Sequence, residues 1–243
     1  NIRYSSEGGS NAIIDKKDRV LVVGCKNTII PEGILTIGTG AFRGMTMAQI
    51  TLPESLAQLN ASAFENCAEL TEITIPAKLT TIGKSAFSQC INVEKLTVSN
   101  GVANIGSHAF FDCVRLYDVS LPASLSRIGE SAFNGCSSLE SITLGNNVKE
   151  IGASAFYGCT SLKKVTFSAE NNLKVISKSA FEQCDLQGTL ELPSVCVISD
   201  YAFAGNKDLE KVVTGDPLLS IGQYAFARCE KLADVTVTAK QVK

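Results

Sequence analysis

Residues 128–144 read Ile128-Gly129-Glu130-Ser131-Ala132-Phe133-Asn134-Gly135-Cys136-Ser137-Ser138-Leu139-Glu140-Ser141-Ile142-Thr143-Leu144, and nearly the same phrase recurs along the whole chain. Its Ala-Phe pair falls at 41–42, 63–64, 86–87, 109–110, 132–133, 155–156, 180–181, 202–203 and 225–226. Successive phenylalanines are 22, 23, 23, 23, 23, 25, 22 and 23 residues apart. Self-similarity at such a period is the mark of a solenoid. A single coil cannot bury its apolar side and must stack on its neighbours, so the 243 residues make one domain.

The two halves of the phrase have different periods. Leu139, Ile142 and Leu144 end in alternation, with Ser141 and Thr143 facing the other way, which is a short strand with one buried face. Ala132, Phe133 and Cys136 stand in an i, i+3, i+4 relation, which suits about one turn of α or 3-10 helix. Between them Ile-Gly recurs at 37–38, 82–83, 105–106, 128–129, 151–152 and 221–222, becoming Leu59-Asn60, Ile176-Ser177 and Ile198-Ser199 elsewhere. Gly and Asn tolerate positive φ, so this row is expected to mark a tight corner, although Ser in two coils makes positive φ non-obligatory. Each coil is then strand, corner, short helix, corner, with the strands of successive coils parallel. Nine of the 11 Phe are the repeat Phe, the large filler of this core.

Composition narrows the function classes. With 45% hydrophobic and 19% charged residues the chain is not disordered. Its 22 basic and 24 acidic residues, a net charge of −2, argue against nucleic acid and against a polybasic membrane surface. No apolar run approaches the roughly 20 residues of a membrane span, so no membrane insertion is expected. Asn1 in place of Met points to a processed or trimmed start. Seven of nine cysteines (67, 90, 113, 136, 159, 184, 229) follow the repeat Phe by three residues; Cys25 and Cys196 lie off the row. Parallel side chains in one row lack the dihedral a disulfide needs, and small buried thiols pack as apolar filler. A ladder of free thiols is expected, with some pairing as the alternative.

Residues 1–30 are the least regular. Ser5 to Asn11 reads as a loop, and Ala12-Ile13-Ile14-Asp15 and Arg19-Val20-Leu21-Val22-Val23 read as strands around Lys16-Lys17-Asp18. This is a capping hairpin or an irregular first coil; the repeat occupies 31–238, and 239–243 form a tail. No C-terminal cap is evident, so either the last coil is exposed or the natural chain continues. Three departures interrupt the array: a polar insertion at Ser168-Ala169-Glu170-Asn171-Asn172, a shortened Leu spacing at Asp185-Leu186-Gln187-Gly188, and Asn206 in the Cys position. Insertions in repeats go to one edge, often a binding edge; simple drift is the competing reading.

The phrase Ile151-Gly152-Ala153-Ser154-Ala155-Phe156-Tyr157-Gly158-Cys159-Thr160-Ser161-Leu162 resembles the leucine-rich repeats of BspA-like bacterial surface proteins, and Asn11 to Asp15 and Gly24 to Pro31 resemble the usual lead-in to such an array. The resemblance spans about residues 11–237. It implies an α/β, right-handed solenoid of about nine coils, with one parallel sheet on the concave side and short α or 3-10 turns opposite. It also implies a secreted or cell-surface protein of a host-associated microbe, often binding extracellular-matrix or other host proteins. The motif contains no catalytic residue.

No reaction centre emerges from the residues. The one histidine, His108, cannot build a multi-histidine metal site, and a straight row of thiols does not converge as zinc requires. A Cys-His nucleophile would need His108 beside an exposed Cys90 or Cys113. The five Tyr fall in different phases of the coil, which argues against an aromatic platform for sugars. No enzyme activity, metal or cofactor is expected. The outward central row of the sheet, Thr51, Thr74, Thr97, Ser120, Thr143, Thr166, Glu191, Val213 and Thr236, is the candidate contact surface, with Thr74, Thr97, Ser120, Thr143, Thr166 and Glu191 as candidate binding residues. A second row runs Glu72, Lys95, Asp118, Ser141, Lys164, Thr189, Lys211 and Asp234. Both rows also suit plain scaffold. The expected function is non-enzymatic binding of a protein partner; a structural spacer and a glycan-binding module are the alternatives, and the oligomeric state is open.

Overall fold

The computed structural model describes residues 3–6, 9–168 and 171–238; Glu7 and Gly8 of the expected loop, Ala169 and Glu170 of the insertion and the tail 239–243 lie outside them. Each coil contributes two strands rather than one. The long strands include Glu72–Ile75, Lys95–Val98, Asp118–Ser120, Ser141–Leu144, Lys164–Phe167, Gly188–Leu192, Leu209–Gly215 and Asp234–Thr238. They pair in parallel one coil apart, so that Ile73 lies beside Leu96 and Ile142 beside Val165. Alternate residues point inward, as in Ser141–Leu144, where Ile142 and Leu144 are buried and Ser141 and Thr143 exposed. The second ladder is made by residues ending on the Ile of Ile-Gly, from Thr36–Ile37 to Ser220–Ile221, again parallel. The expected single sheet is therefore two parallel ladders.

The half containing Ala-Phe is not helical, contrary to expectation. It is a run of β-turns. In the fifth coil Ala132 N–H donates to Gly129 O, Asn134 to Ser131 and Cys136 to Phe133, all i to i−3, at 3.2–3.3 Å. The intervening N–H groups leave the coil: Ser131 donates to Ala153 O, Phe133 to Ala155 O and Gly135 to Tyr157 O, at 2.8–2.9 Å. A helix spends its N–H groups along its own axis; here every second one reaches the next coil. The third residue of the first and last turns carries positive φ, as type II turns demand. Ser131 has φ 51° and Gly135 φ 77°, and the equivalent residues of the other coils do the same.

The Ile-Gly row has a different cause from the one expected. Its glycines are not in the positive-φ set. They are small because the preceding coil's backbone lies against them: a Cβ at Gly152 would come within 2.4 Å of Glu130 N, and one at Gly83 within 2.4 Å of Leu59 O. The corners that do need positive φ fall two and six residues later.

The core between the ladders is the aromatic stack. Phe42, Phe64, Phe87, Phe110, Phe133, Phe156, Phe181 and Phe203 are each fully buried. Together with Phe226 they stack face to face with centroids 4.8–5.5 Å apart and planes within 12° of parallel. Truncating one such Phe to Ala costs about 3–5 kcal/mol.

The longer coil leaves a seam. Neither Glu150–Ile151 with Val175–Ile176 nor Lys164–Phe167 with Gly188–Leu192 is joined in a sheet. The turn ladder crosses instead, with Ser154 donating to Lys178 O, Phe156 to Ala180 O and Gly158 to Glu182 O, each at 2.9 Å. Ser177 Oγ adds a bond to Ile151 O.

At the start, Ile13–Asp15 and Val20–Val23 form an antiparallel hairpin, and Val20–Val23 runs parallel to Thr36–Ile37. Tyr4–Ser5 adds an antiparallel strand, so Ser5 is not loop. Asp15 is the anchor: it accepts from Arg3 Nε at 2.7 Å and from the N–H of Lys17 at 3.0 Å.

Candidate functional site

The register of the long strands sets the candidate row out residue by residue. Thr74, Thr97 and Ser120 lie side by side in one hydrogen-bonded group, and Thr143 and Thr166 in the next. Glu191 stands across the seam beside Val213, which in turn meets Thr236. Thr74, Ser120, Thr143, Thr166 and Glu191 are exposed, and Thr97 and Val213 half-buried. The row is thus present as an outward face, divided into three hydrogen-bonded segments.

The neighbouring charged row is paired within itself. Glu72, Lys95 and Asp118 are consecutive neighbours, with Lys95 Nζ 3.8 Å from Asp118. Lys211 Nζ lies 2.7 Å from Asp234, and this bond, with one from Thr236, holds the Asp234 carboxyl below the usual carboxylate range. Exposed pairs of this kind add little stability, but they prevent like charges from meeting on adjacent rungs.

The cysteine row is a hydrogen-bond ladder. Each Sγ donates to the carbonyl of the Phe in the preceding coil: Cys67 to Phe42 at 3.0 Å, Cys113 to Phe87 at 3.3 Å, Cys136 to Phe110 at 3.2 Å. The flanking carbonyls accept ladder N–H groups, while the Phe carbonyl points into the core and would otherwise lack a second donor. All nine cysteines are free. Burial pushes the Cys67 thiol up to about 11 and Cys113 to about 12, and it raises Cys90, Cys136 and Cys184 as well. A thiol held protonated and bonded to a carbonyl is no nucleophile. His108 is instead a half-buried turn residue with φ 59°, its ring 5.7 Å from that of Phe111. Among the described residues no group of three or more His, Cys, Asp or Glu could hold a metal ion.

Asn206 takes the cysteine's place in the eighth coil. Its Nδ2 donates to Phe181 O at 2.8 Å and Phe203 O at 2.7 Å, and its Oδ1 accepts the Leu186 N–H at 3.0 Å.

Contrary to the expectation that the five Tyr fall in different phases, two of them share one. Tyr201 and Tyr224 occupy the same position, immediately before Ala-Phe, and their rings stack with centroids 5.1 Å apart. They border the cavity of about 410 Å³ on the turn side of the last coils. Counting back from each repeat Phe by two residues is the signal that finds them.

A parallel solenoid with thiol and phenylalanine ladders inside and hydroxyl and charged rows outside defines a leucine-rich repeat protein. The chain matches the BspA-type leucine-rich repeat region, in 6 copies, over residues 23–140 and 126–243, and it belongs to that family. Among solved structures it is similar to a leucine-rich repeat protein from Bacteroides ovatus, at 25% identity and TM-score 0.78, over 97% of this chain and 69% of that one. It is also similar to the leucine-rich repeat protein TpLRR of T. pallidum, at 25% identity and TM-score 0.57, over 95% and 87% of the two chains. The pneumococcal vaccine antigen PcpA matches at 25% identity and TM-score 0.54, over 95% of this chain and 54% of the antigen. No curated protein matches the chain. Among the described residues no helix is long and apolar enough to cross a membrane.

Proposed function

We propose that this chain is a non-enzymatic protein-interaction module of a secreted or cell-surface bacterial protein, and that it holds its partner on the outward face of the long-strand sheet. The observation that supports this most is the alignment of Thr74, Thr97 and Ser120, and of Thr143 and Thr166, on coils whose inward positions are all taken by core. Repeats that spend their conserved letters on packing leave the outer rows to carry recognition. Membership of the BspA-type family supports a protein partner, and the likeness to a protein named as a vaccine antigen supports a surface setting. A host extracellular-matrix protein is the partner class proposed.

The uniform hydroxyl row favours a second reading, a spacer with no ligand of its own, because a specific site usually breaks a repeat. A pull-down against a panel of matrix proteins separates the two. Capture by the wild type and not by a chain with the central row scrambled supports the module on this face; no capture by either supports the spacer, and equal capture by both removes the sheet face from recognition.

A further inference from the structure

We propose that the last three coils carry a second site, on the turn side of the solenoid, for a neutral oligosaccharide. Serine fills the position before Ala-Phe in five coils, yet two successive coils place tyrosine there. Tyr201 and Tyr224 hold φ at 56° and 58°, a conformation in which a bulky side chain is an outlier. The turn ladder imposes this φ in every coil, so what sets these two coils apart is the bulky side chain placed on it. The stacked rings stay 37% and 62% exposed, so the strain is not offset by burial in the core.

The space beside the rings has a specific origin. The position after the repeat Phe carries Arg43, Glu65, Ser88, Phe111, Asn134, Tyr157 and Glu182 in earlier coils, and alanine only at Ala204 and Ala227. These alanines and Gly205 are the small residues that line the cavity. The stacked Tyr201 and Tyr224 line the same cavity, and Glu182, Gln183 and Arg228 supply its polar groups. A second cavity of about 370 Å³ shares Gln183, Gly205 and Arg228 with the first, so the two lie side by side along the turn face. Both volumes lie in the range of small-molecule sites.

The chemistry selects the ligand. Aromatic faces stack on the C–H face of a sugar ring, and carboxylate, carboxamide and guanidinium groups each bond pairs of adjacent hydroxyls. The two cavities carry both signs, with Glu182, Asp185 and Asp208 against Lys207 and Arg228, and Lys231 lies 2.6 Å from Asp208. That balance suits an uncharged ligand rather than an anion or cation. Two alanines and a glycine give a peptide's hydrophobic anchor little apolar side chain to pack against. Two adjacent cavities suit a chain of sugar rings better than a single one.

The test is calorimetric titration of the intact chain with a panel of neutral hexasaccharides built on glucose, mannose, galactose and N-acetylglucosamine, each to about 10 mM. At least one is expected to bind, with Tyr201→Ser/Tyr224→Ser weakening it by about 10-fold or more. Serine occupies this position elsewhere with the same φ, so the melting temperature of that variant is expected to hold or rise. Arg228→Gly, at a position glycine fills in four other coils, is expected to weaken the same sugar by removing the guanidinium. No binding by any panel member, or binding by the tyrosine variant within about twofold of the wild type, overturns the proposal. The result is independent of the sheet face, whose row these variants leave untouched.

Discussion

The backbone N–H of Leu186 donates to Oδ1 of Asn206, one coil further on, at 3.0 Å. In the standard coil the Leu N–H turns back to the Cys carbonyl three residues earlier, as Leu139 does to Cys136 at 3.1 Å. Leu186 follows Cys184 by only two residues, so that turn bond is lost. Asn206 supplies the missing acceptor while its amide keeps the bond to the preceding Phe carbonyl that a thiol would make. A deletion in one coil and a Cys-to-Asn change in the next are therefore a single device.

Restoring the consensus at that position is accordingly expected to harm the protein. Asn206→Cys can still donate to Phe181 O but leaves the buried Leu186 N–H without a partner. The expected loss is about 1–3 kcal/mol, measured by urea unfolding. A neutral or stabilising effect would show that the bond is incidental.

Much of the fold is visible in the repeat itself. Ile128, Ala132, Phe133, Cys136, Leu139, Ile142 and Leu144, the inward residues of the opening phrase, are all buried. What periodicity cannot show is where backbone hydrogen bonds go. Ala132, Phe133 and Cys136 have helical spacing, but their segment alternates local and inter-coil bonds, and only the stacked neighbour decides that. The second residue after the repeat Phe nevertheless carries a signal: Gly44, Asn66, Asp112, Gly135, Gly158 and Gly205 are residue types that accept positive φ, although Gln89, Gln183 and Arg228 are not. Of the candidate surface, the Thr row follows from alternation alone. The Asn206–Leu186 bond and the Tyr201–Tyr224 stack each join two coils, and emerge only when coils are compared position by position.

Two glycines six residues apart, Gly152 and Gly158, should respond very differently to alanine. Gly152 would place its Cβ 2.4 Å from Glu130 N, so Gly152→Ala forces neighbouring backbone apart and is expected to cost about 3 kcal/mol or more. Gly158 has φ +69° and nothing within 4 Å of a built Cβ, so Gly158→Ala should cost only about 1 kcal/mol of conformational strain. Thermal unfolding of both variants would reveal the order; equal losses would mean that coil-to-coil contact does not select the first glycine.

Thiol reactivity should divide along the ladder. Cys25 and Cys196 are partly exposed, whereas Cys67, Cys90, Cys113 and Cys136 are buried and held protonated. A thiol reagent is expected to label the first pair, and the half-buried Cys229 at the end of the row, in the native chain, and the buried cysteines from Cys67 to Cys184 only on unfolding. Raising the pH to about 9.5 deprotonates an ordinary thiol but leaves Cys67 and Cys113 protonated at about 11 and 12. Native-state mass spectrometry showing rapid labelling of Cys113 at that pH would contradict the ladder.

Acid should loosen the N-terminal hairpin first. The bond from Arg3 lowers the folded-state pKa of Asp15 below its unfolded value, helped by the Lys17 and Asp18 amides. The stabilisation is therefore complete above the unfolded carboxylate pKa and is lost as pH falls through the lower folded value. Hydrogen exchange at the Lys17 amide is expected to accelerate over that window in the wild type. Asp15→Asn should raise the exchange rate at neutral pH and flatten the acid-dependent change.

The measurement that bears most directly on the proposed role is the affinity of a captured matrix protein for the wild type and for Thr97→Lys/Thr166→Lys. These two residues lie in separate segments of the outward row, so the lysines do not oppose each other. If the sheet face holds the partner, surface plasmon resonance will show affinity falling by about 10-fold or more while the melting temperature stays within a few degrees. Unchanged affinity in a fully folded variant would contradict the assignment of recognition to this face.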